Sequence, residues 1–101
     1  MLFFTIADGP RSVRISLSDD RNHLLCTSES NPPAAYRWTD DVSGQRVTVY
    51  SGGHELDNCQ TDQLRVIRCE ATNTVSNHTD STLFRFNDSL RQHITNACRG
   101  E

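Results

Sequence analysis

Four cysteines (Cys26, Cys59, Cys69 and Cys98) and four histidines (His23, His54, His78 and His93) are the residues of this 101-residue chain best equipped for chemistry. Structural zinc sites bring ligands in close pairs such as Cys-x2-Cys. Here the cysteines stand singly along the chain and the histidines are equally scattered. Nucleophilic catalysis requires a thiol or hydroxyl beside a base and an orienting group. No Gly-x-Ser-x-Gly elbow occurs, and His54-Glu55 lacks the second histidine of a zinc-protease motif. The carboxylate pairs Asp19-Asp20 and Asp40-Asp41 fall among turn residues, where aspartate bonds the local backbone. They also lack the spaced oxygen ligands of a calcium site. The pattern points away from an enzyme and from any metal or cofactor. Asn77-His78-Thr79 and Asn87-Asp88-Ser89 are, by contrast, acceptor sequons for N-glycosylation.

The remaining composition says what must hold these residues in place. A chain of this length fits one domain, and at 35% hydrophobic residues its core is thin, so cross-links are the expected source of extra stability. Disulfides imply an oxidising, extracellular compartment, which the two sequons fit. All ten basic residues are arginine, against thirteen acids. The net charge of −3 provides no general attraction to nucleic acid or to an anionic membrane. The longest mainly apolar run, Leu2 to Ile6, is far short of the roughly 18 residues of a membrane span, and no basic segment precedes it as in a signal peptide. The expectation is an excised segment of a longer parent, with no membrane insertion of its own.

Period-two alternation dominates. Val13, Ile15 and Leu17 alternate with Arg14 and Ser16, and Val47 and Val49 alternate with Arg46, Thr48 and Tyr50. Further strands are expected at Leu24 to Ser28, Ala35 to Thr39, Glu55 to Gln60, Leu64 to Asn73 and Ser81 to Asn87, each bounded by turn residues. Seven short strands without a convincing helix predict an antiparallel sandwich. Leu90 to Ala97 could make two helical turns, with Leu90, Ile94 and Ala97 on one side. So short a helix is marginal by itself, and a C-terminal turn or extended tail is expected instead.

Cys26 on the second strand, Trp38 on the third and Cys69 near the end of the sixth have the order and spacing seen in immunoglobulin domains. With DGPRSVRISL (Asp8 to Leu17), LLCTSESNPPAAYRW (Leu24 to Trp38) and RCEATN (Arg68 to Asn73), the chain resembles C2- or I-type domains of cell-surface adhesion receptors. The inner domains of sialic-acid-binding lectins and of carcinoembryonic-antigen adhesion molecules are examples. The resemblance implies an all-β, immunoglobulin-like two-sheet antiparallel sandwich. Strands A, B and E would face G, F, C and C′, with C′ at Gln45 to Tyr50 followed by a Ser51-Gly52-Gly53 turn. It implies a Cys26–Cys69 disulfide with Trp38 packed upon it. The domain would span residues 8–89, with 1–7 the end of an upstream domain or linker and 90–101 a C-terminal extension. The family's tyrosine corner is missing, its positions being Gln63, Arg65 and Ile67. A second bond, Cys59–Cys98, is the expected fastener of that end; the alternative leaves Cys98 as a free or intermolecular thiol.

The same register predicts a binding face. If Trp38, Cys69, Phe84 and Phe86 point inward, then Arg37, Arg46, Tyr50, Arg68, Glu70 and Arg85 point outward from the GFCC′ sheet. Arginine and tyrosine are enriched at interfaces; the competing expectation is a solvated face whose arginines pair with nearby acids. Asn77 is expected in the F to G hairpin and Asn87 at the exposed end of strand G. The functional expectation is an ectodomain module of a membrane receptor. It would contact a protein partner, homophilically or heterophilically, beside neighbouring immunoglobulin-like domains of its parent chain. The alternatives are a structural spacer and part of a secreted binding protein.

Overall fold

The computed structural model describes residues 6–42, 53–61 and 64–98. Among them, β1 (Asp8–Leu17), β2 (His23–Asn31), β3 (Ala35–Asp40), β4 (Glu55–Asp57), β5 (Val66–Thr72) and β6 (Thr79–Arg85) are followed by helix α1 (Asp88–Cys98). The strands form two sheets, β1-β2-β4 and β3-β5-β6, with every pairing antiparallel. The two sheets make an all-β, immunoglobulin-like sandwich: β1, β2 and β4 stand where A, B and E were expected, and β3, β5 and β6 where C, F and G were. The expected C′ strand (Gln45 to Tyr50), Ser51 and Gly52 of the following turn, Gln63, and the upstream segment Leu2 to Thr5 lie outside the described residues.

The alternation read from the sequence becomes the burial pattern. Along β5, Ile67, Cys69 and Ala71 are buried while the residues between them reach the surface. Leu24, Cys26, Trp38, Leu56, Ile67 and Cys69 form the core, joined at its edges by Val13, Ile15, Leu17, Tyr36, Leu64, Phe84 and Phe86. Cys26 and Cys69 are bonded across the two sheets. Trp38 lies directly opposite Cys69 and donates its indole N–H to the Gly53 carbonyl at 2.7 Å. Gly53 adopts φ +93°, and a Cβ there would meet the Tyr36 carbonyl at 3.0 Å, so the turn that receives the indole suits glycine alone.

Both ends of the sandwich are closed by polar groups. At one end, the buried Asn73 side chain donates to the carbonyls of Asp8 (3.2 Å) and Asn31 (3.1 Å) and accepts from the Val75 N–H (2.9 Å). It thereby ties the start of β1 and the end of β2 to the β5–β6 turn. At the other end, an arginine from the C-terminal segment makes the closing contacts. Arg91 donates to the Leu64 carbonyl and lies over the Phe86 ring, 4.3 Å from its centroid.

Two sequence expectations need correction here. Leu90 to Ala97 is neither a turn nor an extended tail; it belongs to α1. Asn87 caps the helix by accepting from the Leu90 N–H at 2.7 Å, Leu90 and Ile94, one turn apart, are buried, and the helix packs beside the 3-10 turn Asn58–Thr61. Tertiary packing supplies what so short a helix lacks in isolation. The strand expected at Glu55 to Gln60 ends at Asp57 and gives way to a 3-10 turn, Asn58–Thr61. Its polar side chains draw the backbone out of the ladder: Asp57 accepts from the Cys59 N–H (2.8 Å), and buried Asn58 donates to the Arg21 carbonyl (2.9 Å). The sixth expected strand is trimmed to Val66–Thr72, and the seventh is shifted to Thr79–Arg85.

Candidate functional site

The outer face of the β3-β5-β6 sheet follows from its register. Arg37 lies opposite Glu70 and Glu70 opposite Ser81; Thr39 faces Arg68 and Arg68 faces Leu83; Val66 faces Arg85. Directly opposed residues share a face, so Arg37, Arg68, Glu70 and Arg85 do stand together, whereas Arg46 and Tyr50 lie outside the described residues. Their partners differ. Arg37 pairs with Glu70 at 2.5 Å. The Arg68 guanidinium brackets Asp41 Oδ1 with Nε at 3.1 Å and Nη2 at 2.8 Å, and its Nη1 donates to the Ser81 hydroxyl at 3.0 Å. Arg85 is exposed, and among the described residues it has no ion pair or side-chain hydrogen bond. The exposed Leu83 lies between these groups. Two of the three described arginines are thus paired with local acids, and the third has no such partner among the described residues.

The sequon asparagines are both exposed. Asn77 occupies the β5–β6 turn with φ 63°, the left-handed conformation that asparagine tolerates better than most residues. Asn87 sits at the helix N-terminus instead of the expected strand end. A glycan is attached through Nδ2, so Oδ1 would remain free to cap α1.

Cys59 and Cys98 are bonded to each other, tying the 3-10 turn to the last residue of α1. His23 lies 3.7 Å from Glu55 and 3.9 Å from Asp20, and His93 Nε2 lies 3.2 Å from the Asp20 carbonyl. Hydrogen bonds from the Ser18 hydroxyl and the Asn22 N–H hold the Asp20 carboxyl below its ordinary pKa. Among the described residues no three His, Cys, Asp or Glu side chains are grouped to hold a metal, and no helix is long and apolar enough to cross a membrane.

Sequence reasoning missed Arg65 and Arg91. Their importance depends on α1, which folds back beside the ends of β5 and β6 and makes a groove of about 1080 Å³ there. A strand-parity argument has no means of anticipating a wall supplied by a helix. Compared with known proteins, the chain matches no family model, no curated protein and no solved structure.

Proposed function

We propose that this chain is a C2- or I-type immunoglobulin-like module from the ectodomain of a cell-surface adhesion or recognition receptor, and that it acts by protein–protein contact. The observation that supports this most is the cross-sheet Cys26–Cys69 bond with Trp38 opposite it in a two-layer antiparallel sandwich. Two disulfides suit an oxidising, extracellular environment, and the exposed sequons Asn77 and Asn87 suit a glycoprotein. The partner is a protein at the cell surface, either a second copy or a different chain, with neighbouring immunoglobulin-like domains in the parent.

The ion pairs Arg37–Glu70 and Arg68–Asp41 favour a second reading, in which the sheet face is satisfied within the domain and the module is a spacer. The two are separated by sedimentation and cell-binding measurements on the domain, with and without Arg37, Arg46, Arg68 and Arg85 changed to serine. A binder loses association in the quadruple variant. Binding that survives all four changes removes the face from the argument, and a wild-type domain that binds nothing is a spacer.

A further inference from the structure

We propose that the groove between α1 and the adjoining ends of β5 and β6 is a docking site for an acidic, apolar-containing peptide segment of a protein partner, held by Arg65 and Arg85. The proposal rests on the protein-contact reading above and gives that contact a place and a chemistry.

The groove's volume of about 1080 Å³ is large enough for several side chains. Its lining includes the apolar groups Leu64, Val66, Phe86 and Ile94. Three arginines also line it, and they divide by role. Arg91 belongs to the wall, stacked on Phe86 and bonded to the Leu64 carbonyl. Arg65 and Arg85 are exposed, and among the described residues neither has an ion pair or a side-chain hydrogen bond. Strand pairing brings their backbones together at the end of the sheet, Val66 opposite Arg85 and the Phe86 N–H donating to the Arg65 carbonyl at 3.0 Å; the side chains leave from alternate faces of that end, and both line the groove.

Among the described lining residues only Asp88 is acidic, and it opens α1, where the helix dipole favours a carboxylate. Among the described residues the lining therefore holds three arginines against one aspartate, on a chain whose net charge is −3. This is the reverse of the sheet face, where Arg37 and Arg68 already have acid partners. Two available guanidinium forks suit carboxylates through paired N–H···O bonds. The apolar lining suits side chains between those carboxylates, which a simple anion would leave uncovered. Nucleic acid fits less well, because two free arginines on an acidic chain release few counterions.

The test is a titration of the intact, disulfide-bonded domain with a short fluorescent peptide alternating glutamate and leucine. A glutamine–leucine peptide and inorganic sulfate serve as comparisons. The glutamate peptide is expected to bind, to be weakened on the order of tenfold or more in the Arg65→Ser/Arg85→Ser variant, and to be unaffected by Arg37→Ser/Arg68→Ser. Both replaced arginines are exposed, and an unchanged near-ultraviolet Trp38 signal establishes that the variants are folded. No binding, equal binding of the glutamine peptide, full displacement by equimolar sulfate, or indifference to Arg65→Ser/Arg85→Ser would each overturn the proposal. Cell binding of the wild-type domain reports separately on the broader reading: cell binding without peptide binding removes the groove alone, and peptide binding without cell binding removes the adhesion role alone.

Discussion

The two disulfides close loops of nearly equal length, with sequence separations of 43 and 39 residues, yet they stand in opposite surroundings. Cys26 and Cys69 are 1% and 0% exposed, within the core and on facing sheets. Cys59 and Cys98 are both exposed and join a 3-10 turn to the end of a helix. In the chain-entropy view each bond restricts the unfolded chain by about 4 kcal/mol. The difference between them is therefore local. One bond is also a packed part of the core, while the other ties the end of α1 to the 3-10 turn.

The sharpest test of this contrast is to remove each bond in turn. Changing Cys26 and Cys69 together to alanine is expected to cost about 4 kcal/mol from loop closure alone, plus the packing lost beside Trp38. That sum is comparable with the whole stability of a small domain. The denaturant midpoint should collapse and the near-ultraviolet signal of Trp38 should vanish; a variant with a normal midpoint would remove the core's claim on this bond.

Changing Cys59 and Cys98 to serine is expected to leave the Trp38 signal in place and to cost less than about 4 kcal/mol globally, with lost hydrogen-exchange protection confined mainly to α1. A midpoint reduced as far as in the first variant would show that helix and sandwich unfold as one unit. The same contrast predicts that mild reductant opens Cys59–Cys98 first, because thiolate attack requires access to sulfur. Peptide mapping after timed alkylation gives the order.

A smaller effect is expected at the other end of the helix. In unglycosylated protein, Asn87→Ala removes the cap on the Leu90 N–H and should cost the helix about 1 kcal/mol, while Asn87→Asp keeps it. Equal loss of α1 amide protection in both variants would deny the cap its role.

The smallest effect is one of pH, at the turn whose Asp20 carbonyl meets His93 of α1. Because the folded Asp20 carboxyl is held below its ordinary value, its contribution is complete above the unfolded value of about 3.9 and disappears as pH falls through the lower folded value. A carboxyl titration by NMR should show Asp20 protonating at a lower pH in the folded protein than in the denaturant-unfolded chain. An unchanged or raised value on folding would remove the Ser18 and Asn22 hydrogen bonds as the cause.

Much of the sandwich was legible because alternation is a short-range property. Val13, Ile15 and Leu17 mark one face of β1 whatever they pack against, and the spacing of Cys26, Trp38 and Cys69 places three core residues before any contact is known. The helix was not legible, because what holds it lies far away in the chain: a bond to Cys59 and the contacts of Arg91 with Leu64 and Phe86. The shortened β4 was missed for a related reason: Asp57 and Asn58 offered hydrogen bonds that competed with the sheet, one of them to the Arg21 carbonyl far away in the chain.

The candidate site divides along the same line. Parity placed Arg37, Arg68, Glu70 and Arg85 on one face, but parity does not say which charges meet. Arg68 finds Asp41 and Ser81, and Arg37 finds Glu70, only once β3, β5 and β6 are in register. Arg65 gained meaning only when α1 supplied the opposite wall of a groove.

By itself the sequence determined which residues face inward along each strand, that cysteines must reinforce a thin core, and that the chain carries arginine as its only strong cation. These depend on chemical type and on a period of two, which neighbours cannot change. The tertiary structure alone decided that the C-terminal segment is a helix, that Arg91 joins it to Leu64 and Phe86, and that among the described residues Arg37 and Arg68 have acid partners while Arg65 and Arg85 have none. Each of those outcomes depends on which side chains meet across long stretches of chain, and such meetings are set by the folded core.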